Sequence, residues 1–215
     1  MASRPFLMAI TIITLGAYAG NALIHGKAMP ADLIGAVSPI VGALSIIALL
    51  HDKWLWALPI INLLQKKRPD LRGTWRVKLI SDYIDPQINK PKSPFTAYFS
   101  IYETSSSLTI RQYSEESDSV TLAATINTEP DDTHTVAAVY DNTPSLSRRN
   151  AGSTRHHGGF ILRYSDGTKV RLKGQYWTDR KTTGEMDAER ISSKNSGSLE
   201  EAQELDPSKK APPQG

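Results

Sequence analysis

The sequence contains no cysteine. This absence excludes disulfide bridges, thiol nucleophiles and cysteine-ligated zinc sites, and it agrees with a reducing compartment. The sequence also lacks a Gly-x-Ser-x-Gly elbow, a P-loop and a Gly-x-Gly-x-x-Gly fingerprint. His134, His156 and His157 do not have the helical or loop spacing of metal ligands. We therefore expect a protein that is not an enzyme and that holds no metal and no cofactor.

Charge is missing from two long apolar stretches. Phe6–Ile24 has no charged residue over nineteen positions, and Leu33–Leu50 has none over eighteen. A helix needs about 20 apolar residues to cross a bilayer core, and fewer where the membrane thins. We predict that residues 1–52 form a transmembrane hairpin of two helices.

The positive charges around these stretches predict an orientation. Lys27 is the only lysine or arginine between them. Five follow the second stretch: Lys53, Lys66, Lys67, Arg68 and Arg72. The positive-inside rule then places both termini in the cytoplasm. Ala17–Gly20 is an alternative signal-peptide cleavage site, although apolar residues continue through Ile24.

Small residues recur at helical spacing within both stretches. Gly16 and Gly20 form a GxxxG pattern, and Ser38 and Gly42 repeat the spacing in the second stretch. Small residues let helix backbones approach closely in lipid. Two uses remain open, which are packing of the hairpin against itself and association between copies. We predict these four residues as oligomerisation contacts.

The two segments that flank residues 70–193 differ from them in composition. Trp54 and Trp56 lie beside lysines, which suits the headgroup boundary of a membrane. Residues 53–69 are therefore predicted to be an interfacial linker. From Lys194 onward Ser, Lys, Glu, Pro and Gln dominate, so residues 194–215 are predicted to be a disordered tail.

Between these segments, in residues 70–193, apolar residues recur with a period of two. Eight such runs, separated by turns such as Asp166-Gly167, predict half-buried antiparallel strands. Eight strands suit a small up-and-down β-barrel that can hold one ligand, and a β-sandwich is the alternative. Gly73-Thr74-Trp75 favours a lipocalin-like barrel, because such barrels open on Gly-x-Trp. One inward row on the fourth strand is predicted to be Val120, Leu122, Ala124 and Ile126.

Several polar and aromatic residues share the inward parity. Burial of an unpaired Arg180 costs several kcal/mol, so this side chain needs a partner. Stacking on Trp75 returns only about 2 kcal/mol, whereas a phosphate accepts two parallel hydrogen bonds from an arginine. Aromatic rings can stack nucleobases for about 1–3 kcal/mol per base. The alternative is an arginine that is already satisfied at the barrel rim. The predicted ligand-binding residues are Trp75, Gln112, Tyr140, Tyr164, Tyr176, Thr178, Arg180 and Thr182.

The charge balance limits the class of anion. Residues 70–193 carry sixteen Lys and Arg against sixteen Asp and Glu. Proteins that read nucleic-acid backbones have a broad basic surface, so DNA and RNA are not expected partners. The segment Asn142–Gly159 contains three arginines and two histidines. It is either a lid over the ligand or a flexible solvated loop.

The order of these parts resembles a known family. The run Arg68-Pro69-Asp70-Leu71-Arg72-Gly73-Thr74-Trp75 follows the apolar stretches, and Leu172–Gly184 closes the β-rich region. Over roughly residues 5–192 the chain resembles the SMODS-associated two-transmembrane β-strand-rich effectors of bacterial CBASS anti-phage systems. This family is also described as the CD-NTase-associated protein fifteen type.

The resemblance implies a function. A cytosolic barrel would bind a cyclic dinucleotide made by a partner cyclic nucleotide synthase. Binding would trigger homo-oligomerisation through the transmembrane helices, disruption of the bacterial inner membrane and abortive death of the infected cell. Two alternatives remain, which are a membrane-anchored calycin-like carrier of a lipid or other apolar ligand, and an inert scaffold with a filled barrel.

Overall fold

The computed structural model describes residues 31–58, 68–85, 90–91 and 94–210. The chain divides into two compact units. The first comprises residues 1–64 with 104–106, and the second comprises residues 65–103 with 107–215. The predicted first membrane helix, with Gly16 and Gly20, lies outside the described residues.

The first unit contains one long helix, α1 (Ala31–Lys53), which is followed by a 3-10 turn at Leu55–Ala57. The helix covers the whole second apolar stretch. Where side chains are described, from residue 41 onward, no helical stretch is long and apolar enough to cross a membrane. In the predicted linker Trp54 is exposed and Trp56 is buried, and residues 59–67 lie outside the described residues.

The second unit is built on a closed antiparallel barrel. Its eight strands are β1 (Gly73–Ser81), β4 (Phe95–Glu103), β5 (Leu108–Tyr113), β6 (Ser117–Thr128), β7 (His134–Pro144), β8 (His156–Asp166), β9 (Val170–Thr178) and β10 (Thr183–Ser192). A small hairpin of β2 (Ile84–Asp85) and β3 (Lys90–Pro91) lies between β1 and β4 in the chain. The barrel strands follow one another around the ring in the order β1-β10-β9-β8-β7-β6-β5-β4, and β1 pairs with both β4 and β10. The predicted eight-stranded up-and-down barrel is confirmed.

Apolar side chains fill one end of the barrel. Leu71 and Trp75 are fully buried where β1 begins, and the indole Nε1 of Trp75 donates to the Leu71 carbonyl at 2.9 Å. Farther along, the rings of Phe99 and Phe160 stack with centroids 5.8 Å apart. We call this filled part the closed end of the barrel.

A β-bulge corrects the predicted inward row of β6. The pairing of β6 with β7 shifts between Thr121 and Ala123, and Leu122 is 63% exposed. Thr121, rather than Val120, therefore lies opposite the buried Tyr140. One inserted residue reverses the faces of a strand, so Val120 and Leu122 were wrongly assigned inward, whereas Ala124 packs against the core.

The structure also differs from the predicted disordered tail at 194–215. Residues 199–205 form a helix, α3 (Leu199–Leu205), which is followed by α4 (Pro207–Lys210). We call residues 194–210 the C-terminal strap. Residues 211–215 lie outside the described residues.

Polar anchors hold the C-terminal strap against the outside of β1 and β4. Asn195 Nδ2 donates to the Ile101 carbonyl at 2.7 Å, and Asp206 accepts from Arg76 Nη1 at 3.0 Å. Ala202 is fully buried. Composition did not predict this order, because a few well-placed hydrogen bonds replace the apolar content that the prediction required.

Candidate ligand-binding site

A cavity of about 370 Å³ opens at the end of the barrel opposite to Trp75. Its lining comes from the ends of β1, β5, β7 and β9 and from the starts of β4, β6, β8 and β10. Ligand pockets usually occupy about 300–1,000 Å³. This end of the barrel is therefore not filled, contrary to the scaffold alternative.

Six of the eight predicted ligand-binding residues line this cavity. They are Gln112, Tyr140, Tyr176, Thr178, Arg180 and Thr182. Trp75 instead plugs the closed end. Tyr164 is half-buried near the same end, where its ring meets that of His134 edge-on at 5.9 Å. The alternation of a strand predicts which face a residue occupies but not its position along the barrel axis, so these two predicted residues lie outside the cavity.

Two buried tyrosines form the aromatic part of the cavity. A Cβ added at Gly158 would lie 2.4 Å from Tyr140 Oη, and one at Gly184 would lie 2.5 Å from Tyr176 Cε1. Glycine on the paired strand thus makes room for each ring. Burial raises the pKa of both phenols, so each stays protonated and can donate a hydrogen bond.

The hydroxyl of Tyr140 is available to a ligand. It has no hydrogen-bond partner among the residues that the structure describes, although the residue is only 9% exposed. Its ring stacks on Phe160 with centroids 6.1 Å apart, which fixes its orientation. A hydroxyl that opens onto the cavity without a partner from the described residues can donate a hydrogen bond to a ligand.

Arg180 lies at the mouth of the cavity and not on a strand. Strand β9 ends at Thr178, and Arg180 occupies the turn before β10. Its guanidinium donates to Ser153 Oγ at 3.2 Å, to Thr154 Oγ1 at 3.2 Å and to the Thr154 carbonyl. The prediction of an inward strand position is therefore wrong, and the alternative of a hydrogen-bonded arginine at the rim describes the structure.

The partners of Arg180 belong to the segment between β7 and β8. This rim loop, residues 145–155, includes a short helix, α2 (Leu146–Asn150). Arg148 pairs with Glu116, and Arg155 Nε donates to Asp141 Oδ1 at 2.8 Å. The Arg155 guanidinium holds the pKa of Asp141 below its ordinary value, so this pair is ionised at neutral pH. The predicted Asn142–Gly159 loop is shorter than expected, because both strands extend into it.

Two further cavity residues were not predicted as ligand-binding. Ser119 Oγ donates to Asn142 Oδ1 at 2.8 Å, which leaves the Asn142 amide nitrogen 3.5 Å from His156 Nδ1. Asn142 has the same parity as Tyr140, so extending the predicted strand that carries Tyr140 by one residue would have revealed it. Burial lowers the pKa of His156, and nearby Arg180 lowers it further, although a backbone hydrogen bond to Thr154 opposes this. The imidazole is therefore neutral at pH 7.

The positive charge of the cavity is concentrated on Arg180. Among the described lining residues, Arg148 pairs with a carboxylate and His156 is neutral, whereas the Arg180 partners are uncharged. No three His, Asp or Glu side chains in the described part of the chain are grouped for a metal ion. An uncompensated arginine beside two phenols and several hydroxyls suits a phosphate ester that carries planar rings.

Comparison with known families agrees with this geometry. Residues 66–190 match the model of a family described as Cap15, cyclic dinucleotide receptor domain. The chain belongs to the Cap15 family. The match confirms the resemblance seen in the sequence, and it supports a CBASS effector whose barrel binds a cyclic dinucleotide. It begins before β1 and ends within β10, so the C-terminal strap of this Cap15 protein lies beyond it. No curated protein matches the chain.

Proposed function

We propose that a cyclic dinucleotide binds in the open cavity and switches the protein into a membrane-disrupting oligomer. The observation that carries the proposal is the pairing of an uncompensated Arg180 with the buried Tyr140 and Tyr176, inside a Cap15 receptor domain. A guanidinium can bind one phosphate of the ligand through two hydrogen bonds, and the rings offer surfaces for a base.

The remaining lining residues suit the rest of such a ligand. Thr178 and Thr182 offer hydroxyls near the mouth, and Gln112 offers an amide. Leu79 and Met186 line the cavity as well, and they give a base or sugar an apolar surface. A calycin-like carrier of an apolar ligand does not need the row of Tyr140, Tyr176, Thr178, Arg180 and Thr182. The polar row therefore argues against that alternative.

The membrane part of the proposal rests on the N-terminal region. In α1 the described apolar side chains are largely exposed: Val41 44%, Ile46 59%, Ile47 49%, Leu49 63% and Leu50 37%. Contiguous exposed apolar surface is typical of contact with lipid or with another protein. We propose a multi-pass inner-membrane protein whose termini and barrel are cytoplasmic. On ligand binding, copies would associate through Gly16, Gly20, Ser38 and Gly42.

In this proposal the chain acts as a receptor and an effector. It needs no cofactor and no catalytic residue, because the cyclic dinucleotide comes from a separate cyclic nucleotide synthase. Disruption of the membrane then kills the infected cell before phage replication is complete.

Thermal unfolding of the full chain in detergent tests the proposal. The probes are cyclic di-AMP, cyclic di-GMP and cyclic di-UMP, with AMP, GMP and UMP as matched controls. A ligand at 100 times its dissociation constant adds about 2.7 kcal/mol to the free energy of unfolding. We expect at least one cyclic probe to raise Tm while its mononucleotide does not. If none of the three raises Tm, the cavity is not a receptor for these messengers.

A further inference from the structure

Arg180 differs from Arg148 and Arg155 of the rim loop in what it binds. Arg148 and Arg155 pair with the carboxylates of Glu116 and Asp141. Arg180 instead binds neutral acceptors, all of them on two adjacent residues of the rim loop. A phosphate adds the attraction of opposite charges to its hydrogen bonds with an arginine, whereas a neutral acceptor does not. A phosphate entering the cavity can therefore compete for Arg180 but not for the other two arginines.

The geometry of the guanidinium makes a phosphate and Thr154 compete for the same nitrogen of Arg180. Two edges of a guanidinium can bind a phosphate through parallel hydrogen bonds, and one uses Nε with Nη2 whereas the other uses Nη1 with Nη2. Both edges need Nη2. In the structure Nη2 of Arg180 donates to the carbonyl and to the Oγ1 of Thr154. A nitrogen with two hydrogens cannot keep a full hydrogen bond to each of these acceptors and donate another to a phosphate, so bidentate binding of a phosphate competes with the bonds to Thr154.

The rim loop is held differently at its centre and at its ends. Arg148 and Arg155 anchor it on either side through their carboxylate partners. Between them, Gly152 has a φ of 89°, and a Cβ built there would meet no described residue within 4 Å. Besides the Arg180 contacts, backbone bonds within the loop hold residues 151–153, from Ala151 N to Ser147 O at 3.2 Å, from Gly152 N to Arg149 O at 2.9 Å and from Ser153 N to Arg148 O at 2.9 Å, and His156 Nδ1 lies 3.3 Å from the Thr154 carbonyl. Release of Arg180 therefore removes the hydrogen bonds that join this part of the loop to the turn before β10, and it leaves the ends of the loop in place.

We propose that Arg180 is a ligand-operated latch: phosphate binding moves its guanidinium from Ser153 and Thr154 to the ligand, and this exchange releases residues 151–154 of the rim loop. This inference rests on the proposed function, because it takes the ligand to be a cyclic dinucleotide. It adds a route by which an occupied cavity changes the surface of the barrel. It also differs from a lid, because ligand binding loosens the loop and does not close it.

Hydrogen–deuterium exchange of the full chain in detergent tests the latch with cyclic di-AMP, cyclic di-GMP and cyclic di-UMP. In the presence of a probe that raises Tm, we expect faster exchange in the peptide that covers residues 151–154. Unchanged or slower exchange there, under a probe that does raise Tm, overturns the latch and leaves the receptor function standing. If no probe raises Tm, the receptor function and the latch fail together.

A double variant, Ser153→Ala with Thr154→Val, removes two of the three acceptors. We expect its unliganded rim loop to exchange as fast as the liganded wild type. Because fewer bonds must break on binding, Kd for the probe should fall by about fivefold. Ser147→Ala is the matched control, since Ser147 lies in the same loop and its hydroxyl contacts Ser145 at 3.0 Å and not Arg180. Equal Kd and equal exchange in the double variant and this control would refute the latch.

Discussion

Tyr98, on the outer face of β4, donates its phenolic hydrogen to Asp206 of the C-terminal strap at 2.9 Å. Both residues are at most 1% exposed. Burial raises the pKa of Tyr98 to about 12, and the bond to Asp206 contributes to this shift. Hydrogen bonds from Ser208 and Tyr98 outweigh the burial of Asp206 and hold its pKa below the ordinary value, so its carboxylate is ionised. The strap is therefore part of the folded second unit, and it covers strand surface that would otherwise be exposed to solvent.

Tyr98→Phe is predicted to weaken the C-terminal strap. The change removes a buried hydrogen bond to a charged group, which is worth about 1.5–3 kcal/mol. Tyr102→Phe is a matched control, because Tyr102 also donates to the strap, to the Ser196 carbonyl at 3.3 Å, but is 41% exposed. Urea unfolding should show a clear loss of stability for the first variant and a small one for the second. Equal losses would mean that burial of the Tyr98–Asp206 pair does not set its strength.

Glu103, at the end of β4, is predicted to make stability depend on pH. Its carboxylate accepts from the Leu71 amide at 2.8 Å and from Arg68 Nε at 2.9 Å. Burial raises the pKa of Glu103 to about 7, against an ordinary value of 4.5. The folded state therefore binds the proton of Glu103 more tightly than the unfolded state does. The resulting contribution of Glu103 to the free energy of unfolding is fully present below pH 4.5 and is lost as the pH rises through 7. The loss is on the order of 3 kcal/mol.

Comparison with Glu103→Gln isolates this contribution. The amide cannot ionise and can still accept from the Leu71 amide, so the variant should lack the decline of wild-type stability between pH 4.5 and 7.5. Chemical unfolding at several pH values measures the difference between the two proteins. A constant difference across this range would show that Glu103 does not titrate there.

The alternation of the sequence predicted the barrel and most of the cavity, since a period of two specifies which face each residue occupies. The face of Leu122 was predicted wrongly, because a β-bulge reverses the alternation at this point and the composition of the strand does not reveal the bulge. Height along a strand is also invisible to alternation, which is why Trp75 was assigned to the same site as Tyr176. The C-terminal strap depends on single pairs such as Tyr98 with Asp206, which lie 108 positions apart in the sequence and cannot be inferred from local composition.

Substitutions at Trp75 and Tyr176 should affect different properties, stability for the first and ligand binding for the second. Trp75→Phe removes the indole bond to Leu71 and leaves a gap at the closed end, so Tm should fall while Kd for a cyclic dinucleotide stays within about twofold. Tyr176→Leu removes a ring from the cavity, and Kd should rise by about 5- to 150-fold, the equivalent of one lost base stack. Calorimetric titration below both melting temperatures measures the two constants. A larger binding loss in the Trp75 variant would place the ligand at the closed end.

Gly42→Leu is predicted to block association of the protein without affecting its fold. A Cβ at Gly42 of α1 meets none of the described residues within 4 Å, so these residues leave room for a larger side chain. If copies pack through small residues, leucine holds their backbones apart. Toxicity of the expressed protein in the presence of its cyclic dinucleotide should then vanish, while the ligand-induced rise in Tm persists. We expect the same result for Gly16→Leu combined with Gly20→Leu. Val41→Leu, an exposed position on the same helix, should keep wild-type toxicity, and wild-type toxicity in the Gly42 variant as well would show that copies do not meet at this position.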